Sequence, residues 1–470
     1  VSMPRNCLGF ARIVPDQTTK PSPRQSRPLR RIPPLRFEVI RPDEITPALA
    51  ARWRALQQAD IVLQSPFFTP EFTRAVGRHR ADLRVAVIER DGEVAGFLPF
   101  HRKRLGVGSP VGGQVCDYQG PVAAPDVALD PATLLRGAGL VAYDYNHAPR
   151  TGRLFREGAY AVSASPVIDL SDGFEAWREH RKRATGKAIT QLERKRRKME
   201  RELGPLQYTH NDTDPEVWRT LLDWKSASLA AQGTRPVMRV PWVGALLETI
   251  RDWQSADFAG VLSSLRAGDR LIAVHFGMRS GGVWHWWFPT YDSTLTKHSP
   301  GLALLYDCVR WMDGYARLRR LDLGRGTQLF KQQFANAEVL LCEGSLERAA
   351  TPAGALRRAR KGIHRAAVSA LPAPYADLQR RALNKVLRAG LDEAAVAPLP
   401  YVVRPGVNLP PGSRGPGQVR AKTRGDRHLW CPARRVLQQL VNLWTRPGGA
   451  GRRKGRASSA KRYAGAALFR

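Results

Sequence analysis

The strongest constraint on the fold is a stretch in the second half of the chain. Two runs of apolar and polar alternation, Leu271–Met278 and Val283–Phe288, flank a glycine-containing turn, which predicts a β-hairpin. A polar loop follows. Gly301–Arg317 then has apolar residues at the spacing of one buried helix face, and Arg320–Gly324 has the pattern of a strand. The order hairpin, loop, helix, strand predicts a mixed α/β core.

The distribution of charge separates this core from the rest of the chain. The net charge is +34 over 470 residues, but residues 1–36 carry +7 and residues 346–470 carry +21. A nucleic-acid-binding domain usually has its basic patch on the folded module. Here the excess lies mainly in segments without periodicity, and these tails could contact nucleic acid or anionic membrane surfaces nonspecifically.

Cysteine spacing and hydropathy indicate the cellular context. The five cysteines are far apart and form no Cys-x-x-Cys pair, so neither a disulfide framework nor a zinc site is predicted. No run reaches the roughly 18 apolar residues of a membrane span, and the N-terminus has no apolar signal segment. We predict a cytoplasmic protein without metal and without a transmembrane segment.

The organisation along the chain predicts two tandem domains between basic tails. Both halves have a strand, then helices, then an antiparallel hairpin, so the fold class is α/β (α+β by stricter usage), with mixed sheets flanked by helices. The predicted boundaries are a disordered Pro-rich N-terminus at 1–35, a degenerate domain at 36–160, a main domain at 161–348, a basic helical extension at 349–398 and a disordered tail at 399–470.

An anion site is predicted where the loop meets the helix. The first amides of a helix lack intrahelical partners and lie at the positive end of its dipole. Pro300 and Gly301 suit the start of such a helix, and Lys297 and His298 add positive charge or donors beside it. The alternative is that Ser299-Pro300-Gly301 only starts a helix.

The spacing His298-x-x-Gly301-x-Ala303 resembles the pyrophosphate loop of the GNAT superfamily of N-acetyltransferases, with His298 in place of the usual Gln or Arg. The resemblance narrows to the CelD-like acetyltransferases, which are related to the Fem-type aminoacyltransferases. It covers residues 160–345 well and 37–160 less well. The segments that carry it are Ala273–Gly277, Trp284–Trp287, Pro289–Asp292, Ser299–Gly301, Leu321–Gly326 and Phe330-Lys331. The usual Tyr-Lys pair is Phe330-Lys331 here.

The resemblance implies two acetyltransferase-like domains and acetyl-coenzyme A (acyl-CoA) as co-substrate. Its pantetheine arm is expected between Val283–Phe288 and Arg320–Leu323. The residues predicted to bind this co-substrate are Lys297, His298, Ser299, Gly301, Ala303 and Trp286. The acceptor is expected to approach past His285, Trp287 and Lys331.

Acyl transfer to an amine requires a base, because the protonated amine cannot attack a thioester. His275 is the first candidate, since its ordinary pKa lies near neutrality. Asp322 is the second, and it should face away from Leu321 and Leu323. Tyr291 is the candidate acid. Each has a structural alternative: a core histidine, a loop cap and a packing residue, respectively.

We therefore predict an acyl-CoA-dependent N-acetyltransferase that acts on an amine of a small molecule or glycan precursor, in exopolysaccharide, cellulose or envelope biosynthesis. Two alternatives stay open, a Fem-type transferase that uses aminoacyl-tRNA and a noncatalytic nucleic-acid-binding protein. The basic segment Arg178–Arg201 bears on this choice, because it is either a solvated helix face or the wall of an anionic groove.

Overall fold

The computed structural model describes residues 11–13, 34–150, 154–156, 158–234, 236–315, 317–348 and 355. Within them the strands are β1 Ala11–Arg12, β2 Arg36–Ile40, β3 Leu83–Arg90, β4 Glu93–Arg102, β5 Val107–Ser109, β6 Val122–Ala123, β7 Ala142–Pro149, β8 Ala159–Asp169, β9 Leu206–Thr209, β10 Ala259–Ala267, β11 Arg270–Ser280, β12 Val283–Tyr291, β13 Arg320–Asp322 and β14 Ala337–Glu347. The helices are α1 Pro47–Ala59, α2 Pro70–Gly77, α3 Pro131–Gly137, α4 Phe174–Ala184, α5 Ala188–Leu203, α6 Pro215–Ala231, α7 Pro241–Arg251, α8 Pro300–Asp313 and α9 Leu329–Phe334.

The strands form one mixed sheet that runs through both halves of the chain. Its order is β2-β3-β4-β5-β7-β14-β8-β13-β12-β11-β10-β9, with β1 paired to β14 and β6 to β4. The last strand, β14, lies between β7 of the first half and β8 of the second half and is antiparallel to both. The predicted α/β class with helices flanking a mixed sheet is confirmed.

Helices cover the sheet through separate apolar clusters. In the second half, α4, α5 and α8 pack together with Trp284 and Trp286 of β12. The helices α1, α2, α6 and α7 share another cluster with Phe276 of β11 and Phe288 of β12. The ring of Trp218 on α6 meets that of Phe276 edge to face, with 5.0 Å between centroids. Strands β11 and β12 are therefore covered by helices from both clusters.

Two helices differ from the sequence prediction. The basic segment Arg178–Arg201 does not form one continuous helix, because α4 ends at Ala184 and α5 begins at Ala188. Gly186 between them has φ +64, a left-handed conformation that interrupts a right-handed helix. The helix predicted over Gly301–Arg317 ends at Asp313.

The predicted tails fall mostly outside the described residues, and so does the basic extension at 349–398, of which only Ala355 is described. Inside the predicted disordered segment 1–35, Ala11–Arg12 pairs with the start of β14, where β7 does not reach, and the Ile13 amide donates to Glu338 O at 3.0 Å. Main-chain pairing to an available strand edge, together with packing of Ile13 against the core, holds these residues in place.

Candidate functional site

Strands β12 and β13 are parallel neighbours over three residue pairs and then part. The pairs are Val283 with Arg320, Trp284 with Leu321, and His285 with Asp322. Beyond them β12 continues to Tyr291 alongside β11, whereas the chain leaves β13 at Leu323. The two strands therefore diverge after His285 and Asp322, and the region between the diverging strands is named the cleft.

A bulge in β12 lies beside the point of parting. The register shifts between the pairs Phe276–Phe288 and Met278–His285, so two residues of β12, Trp286 and Trp287, lie opposite the single residue Gly277 of β11. A Cβ at Gly277 would lie 2.2 Å from His285 O and 2.7 Å from His275 Cε1. Only glycine leaves room here for the carbonyl oxygen of His285 and the ring of His275 to lie this close to the backbone.

His275, the first candidate base, supports this bulge. Its Nε2 accepts the amide hydrogen of Trp287 at 3.3 Å, and its ring stacks on Trp286 with 3.8 Å between centroids. The side chain is fully buried, and among the described residues its Nδ1 has no hydrogen-bond partner. Burial, followed by the charges of His285, His210 and Lys225, holds the pKa of His275 well below its usual value. The ring is thus neutral, and its lone pair is already used by the backbone.

The direction of the Trp287 amide has a consequence for its neighbours. Before the bulge, successive amides point to opposite sides, so the Trp286 amide points away from β11, toward the cleft. Beyond the bulge the Asp292 amide donates to Ile272 O of β11, so the amide of Phe288, four residues earlier, also points to β11. By fixing Trp287, His275 also orients the Trp286 donor.

The loop before α8 places a helix N-terminus near the other end of β12. Ser299 is left-handed with φ +59, and α8 begins at Pro300. A Cβ at Gly301 would lie 3.1 Å from the Tyr291 ring, so the absent side chain lets the helix start lie against that ring. Tyr291, the candidate acid, thus lies beside the predicted anion site, and it is 41% exposed.

Helix α5 brings a cation to this helix start. Lys195 Nζ donates to Ser299 Oγ at 2.8 Å. Arg196, the next residue, donates to Asp307 Oδ2 on α8 at 2.6 Å. Lys297 is exposed in the same loop. The inner side of the basic segment is therefore bound to α8. The exposed residues on its outer side are Arg194, Arg197, Lys198 and Arg201.

Two residues predicted to bind the co-substrate have packing roles in this structure. His298 is 2% exposed, and its Nε2 lies 3.4 Å from Glu202 Oε2. Burial, assisted by neighbouring lysines and only partly offset by Glu202, lowers the pKa of His298, so it adds little positive charge. Ala303 is fully buried in the cluster around α8.

The point where β12 and β13 part carries a buried group of ionisable side chains. His285 Nε2 donates to Asp117 Oδ2 at 2.8 Å, and His285 Nδ1 lies 3.6 Å from Asp322 Oδ1. His285 is fully buried and Asp322 nearly so, whereas the Asp117 side chain is 28% exposed. Burial would raise the pKa of Asp117, but the hydrogen bond and charge of His285, with His147 and Lys331, outweigh it and lower that pKa.

Asp322 is held by donors from three parts of the chain. Tyr118 OH donates to its Oδ2 at 2.5 Å, while Ser165 Oγ at 2.6 Å and the Gly324 amide at 2.8 Å donate to its Oδ1. Burial and the charge of Asp322 raise the pKa of Tyr118 well above its usual value, so the phenol keeps its proton. A cavity of about 20 Å³, enough for one water molecule, adjoins Tyr118 and Asp322.

Gly324 allows the parts of this cluster to meet. Its φ is +71, and a Cβ would lie 3.2 Å from Asp117 Oδ2. Lys331 of α9 reaches the same turn, where its Nζ donates to Gly324 O at 2.9 Å and Arg325 O at 3.0 Å. Burial lowers the pKa of Lys331, although Asp117 and Asp322 oppose the shift. Lys331 thus fixes the backbone that closes the cluster.

Trp287, predicted to contact the acceptor, joins the cluster to the first half of the chain. Its indole Nε1 donates to Val115 O at 3.1 Å, and Phe67 lies edge to face against both Trp287 and His285. The structure thus gathers the predicted residues His285, Asp322, Trp287 and Lys331 near the point of parting.

Sequence reasoning missed Asp117 and Tyr118. They belong to the glycine-rich loop of the first half and lie 168 and 204 residues from their partners His285 and Asp322. The available signal was Asp117, the one charged residue in the glycine-rich stretch Gly106–Gly120. The site is built from both halves of the chain.

Within the residues that the structure describes, no group of three or more His, Cys, Asp or Glu side chains could hold a metal ion. None of the described helices combines the length and apolar character that crossing a membrane requires.

Comparison with known proteins defines the class. Residues 186–332 match the family model of the acetyltransferase (GNAT) domain. This segment contains the bulge, the parting strands, the α8 start and Lys331, so this part of the chain has a GNAT-like fold. The match is to the general GNAT domain, and the narrower CelD-like resemblance stays a prediction. No curated protein matches the sequence.

Solved structures with a similar fold include one described as a tandem GNAT protein. FemX is 10% identical, with 66% of this chain and 96% of that chain covered and a TM-score of 0.43. A tandem GNAT protein of the clavulanic acid biosynthesis pathway is 11% identical, with 67% and 99% covered and a TM-score of 0.38. The L-PGS of Bacillus licheniformis is 13% identical, with 59% and 87% covered and a TM-score of 0.36. At these values the function has to be argued from the site itself.

Proposed function

We propose that this protein is an acyl-CoA-dependent N-acyltransferase that moves an acetyl group from acetyl-CoA to an amine. One observation carries the proposal. In the segment that matches the GNAT domain, β12 and β13 part directly after His285 and Asp322, beside a bulge, and β12 leads to the N-terminus of α8. The cleft between the strands suits the pantetheine arm of acyl-CoA, which carries the thioester at one end. The anion site at the end of β12 suits the pyrophosphate at the other end of that arm.

The phosphates of the donor fit the start of α8. Lys195, Ser299 and Gly301 lie there, with Lys297 exposed in the same loop. The ammonium of Lys195 and the positive end of the helix dipole favour a dianionic group. The pantetheine arm then lies in the cleft, where the amide of Trp286 points. This amide would stabilise the oxyanion formed on the thioester carbonyl.

The Asp117–His285 pair is proposed as the general base. His275 was the first candidate from sequence, but its lone pair is bound to the Trp287 amide. In the pair, His285 is enclosed, and Asp117 is the exposed member. We propose that the Asp117 carboxylate takes the proton of the acceptor amine, directly or through water, while His285 orients that carboxylate through the proton on its Nε2. The negative charge of Asp322, 3.6 Å from His285 Nδ1, favours uptake of the proton by the pair.

The acceptor reaches the site between the two halves, because Asp117 comes from the first half and the cleft from the second. The sequence resemblance to the CelD-like family supports an amine of an exopolysaccharide or envelope precursor as the source. A Fem-type use of aminoacyl-tRNA is the second candidate, favoured by the four exposed basic residues on the outer side of α5.

Calorimetry of the full chain with acetyl-CoA tests the proposal, and Lys195→Met and Lys187→Met serve as a matched pair. Both remove one lysine charge near or on α5, but only Lys195 contacts the start of α8; Lys187 is exposed at the other end. We expect binding that Lys195→Met weakens and Lys187→Met does not. No binding of acetyl-CoA, together with tight binding of labelled aminoacyl-tRNA at physiological salt, would establish the second candidate instead.

A further inference from the structure

Helix α6 carries a lysine on the side that packs against the sheet. Val217, Trp218 and Leu221 of this side are buried, and Lys225 follows Leu221 by four residues and Trp218 by seven. Residues at these spacings share one helix face. The helix therefore directs an ammonium group inward where its pattern calls for an apolar residue.

The surroundings of Lys225 leave its charge uncompensated. Its Nζ donates to Pro289 O of β12 at 3.1 Å, and in the described part of the chain no carboxylate lies within 4 Å of it. Burial, with a smaller contribution from the charge of Lys331, lowers the pKa of Lys225 to about 8. A half-buried cation without a counter-ion is costly, and its retention needs a reason.

The position of Lys225 connects it with the proposed active site. Pro289, the hydrogen-bond partner of Lys225, lies opposite His275 in the β11–β12 register. It follows Trp286, whose amide faces the cleft, by three residues. The charge of Lys225 lowers the pKa of His275, and that of Lys331 lowers the pKa of Lys225, so these groups lie within electrostatic reach of one another. Lys331 donates to two carbonyl oxygens. Lys225 donates one hydrogen bond within the described residues, to Pro289 O, so two of its three N–H donors are left for a ligand.

We propose that Lys225 binds an anionic group of the acceptor, a carboxylate or a phosphate, and so selects acceptors in which the reactive amine and an anion belong to one molecule. This inference rests on the proposed function and names the chemical class of its substrate. An anion at Lys225 supplies the missing counter-ion and forms a charge-assisted hydrogen bond. The amine of the same molecule then meets Asp117, across the cleft.

The test compares amines that differ in one charge. The pairs are β-alanine with β-alaninamide, O-phosphoethanolamine with ethanolamine, and glucosamine 6-phosphate with glucosamine. Release of free thiol from acetyl-CoA gives kcat/KM for each amine. We expect the native chain to prefer the anionic member by about 10- to 100-fold, chiefly through KM. The first pair reports a carboxylate, and the other two report a phosphate.

Lys225→Met and Arg219→Met form a matched set of variants. Arg219 is on the same helix, but its side chain is 61% exposed and pairs with Glu216. We expect Lys225→Met to lower the ratio of anionic to neutral kcat/KM at least tenfold and Arg219→Met to leave that ratio as it is. Equal ratios in the two variants, or no charge preference in the native chain, would overturn the inference.

A second measurement does not need turnover. The native chain is labelled with a trace of acetic anhydride, with and without inorganic phosphate or N-acetyl-β-alanine, and the labelled lysines are quantified by mass spectrometry. We expect one of the two anions to protect Lys225 but not the exposed Lys187. If Lys225 is labelled equally with and without each anion, and none of the amines reacts, the inference is refuted. A chain that fails to bind acetyl-CoA refutes the proposed function instead, so the two failures are distinct.

Discussion

The assignment of the base can be examined with a double-mutant cycle on Asp117 and His285. Asp117→Asn and His285→Gln each keep a polar side chain of similar size at their position. Both remove the carboxylate–imidazole pair, in which Nε2 and Oδ2 lie 2.8 Å apart. If the pair acts as one base, either substitution abolishes general-base catalysis.

The expected magnitudes follow from this coupling. Loss of a general base costs on the order of 10²- to 10⁴-fold in kcat, or about 3–5 kcal/mol of transition-state stabilisation. Because residues that act as a unit are not additive, we expect the double variant to be no slower than the slower single variant within about threefold. Independent roles would instead multiply the two losses.

The assay is thiol release from acetyl-CoA with the best amine of the panel, at saturating donor, after calorimetry has shown that each variant binds acetyl-CoA as the native chain does. His275→Gln is the matched control, because His275 is an equally buried histidine on the neighbouring strand. A glutamine oxygen can still accept the Trp287 amide, so we expect less than a tenfold loss in kcat. A loss above 100-fold in His275→Gln with near-native rates in His285→Gln would refute the reasoning.

Three further predictions follow. Gly277→Ala places a Cβ 2.2 Å from His285 O, so we expect a loss of about 1–3 kcal/mol in the free energy of unfolding by urea; an unchanged midpoint would show that the bulge can relax. Lys195→Met removes the ammonium at Ser299, so KM for acetyl-CoA should rise about 5- to 10-fold with little change in kcat, and the difference should shrink at high salt; a fall in kcat alone contradicts this role. The pKa of His275 is lowered in the folded chain, so as pH falls through about 6.5 the unfolded chain binds a proton that the folded chain does not, and the free energy of unfolding should decrease below that pH. Urea unfolding between about pH 5 and 8 should show a weaker dependence of this free energy on pH for His275→Gln than for the native chain. Parallel curves for the two chains would contradict the lowered pKa.

Local patterns predicted the core of the site and the face that its residues occupy. Strand alternation predicted that Asp322 faces away from Leu321 and Leu323, and the structure places Asp322 against Tyr118 while the two leucines pack in the cluster around α8. The helix start at Pro300 followed from Pro and Gly at the positions where they suit an N-terminus.

The remaining features depend on contacts that no local pattern shows. Asp117 meets His285 across 168 residues of sequence. The hydrogen bond between the Trp287 amide and His275 depends on the bulge opposite Gly277. A glycine within a strand indicates a bulge but does not tell which side chain packs against it. The break at Gly186 could have been found, because a glycine inside a helical pattern is a known point of interruption.

The place of β14 in the sheet has a consequence for how the chain folds during synthesis. Because β14 lies between β7 and β8, both of those strands keep an open edge until residues 337–347 have been synthesised. Open edges can pair with other chains, and contacts this distant in sequence form slowly. Helices of the first half pack against β11 and β12, but among the described strands only β14 joins those of the two halves into one sheet. A ribosome-bound chain that ends before β14 would therefore expose two unpaired strand edges, which makes timely closure of the sheet a condition for solubility during synthesis.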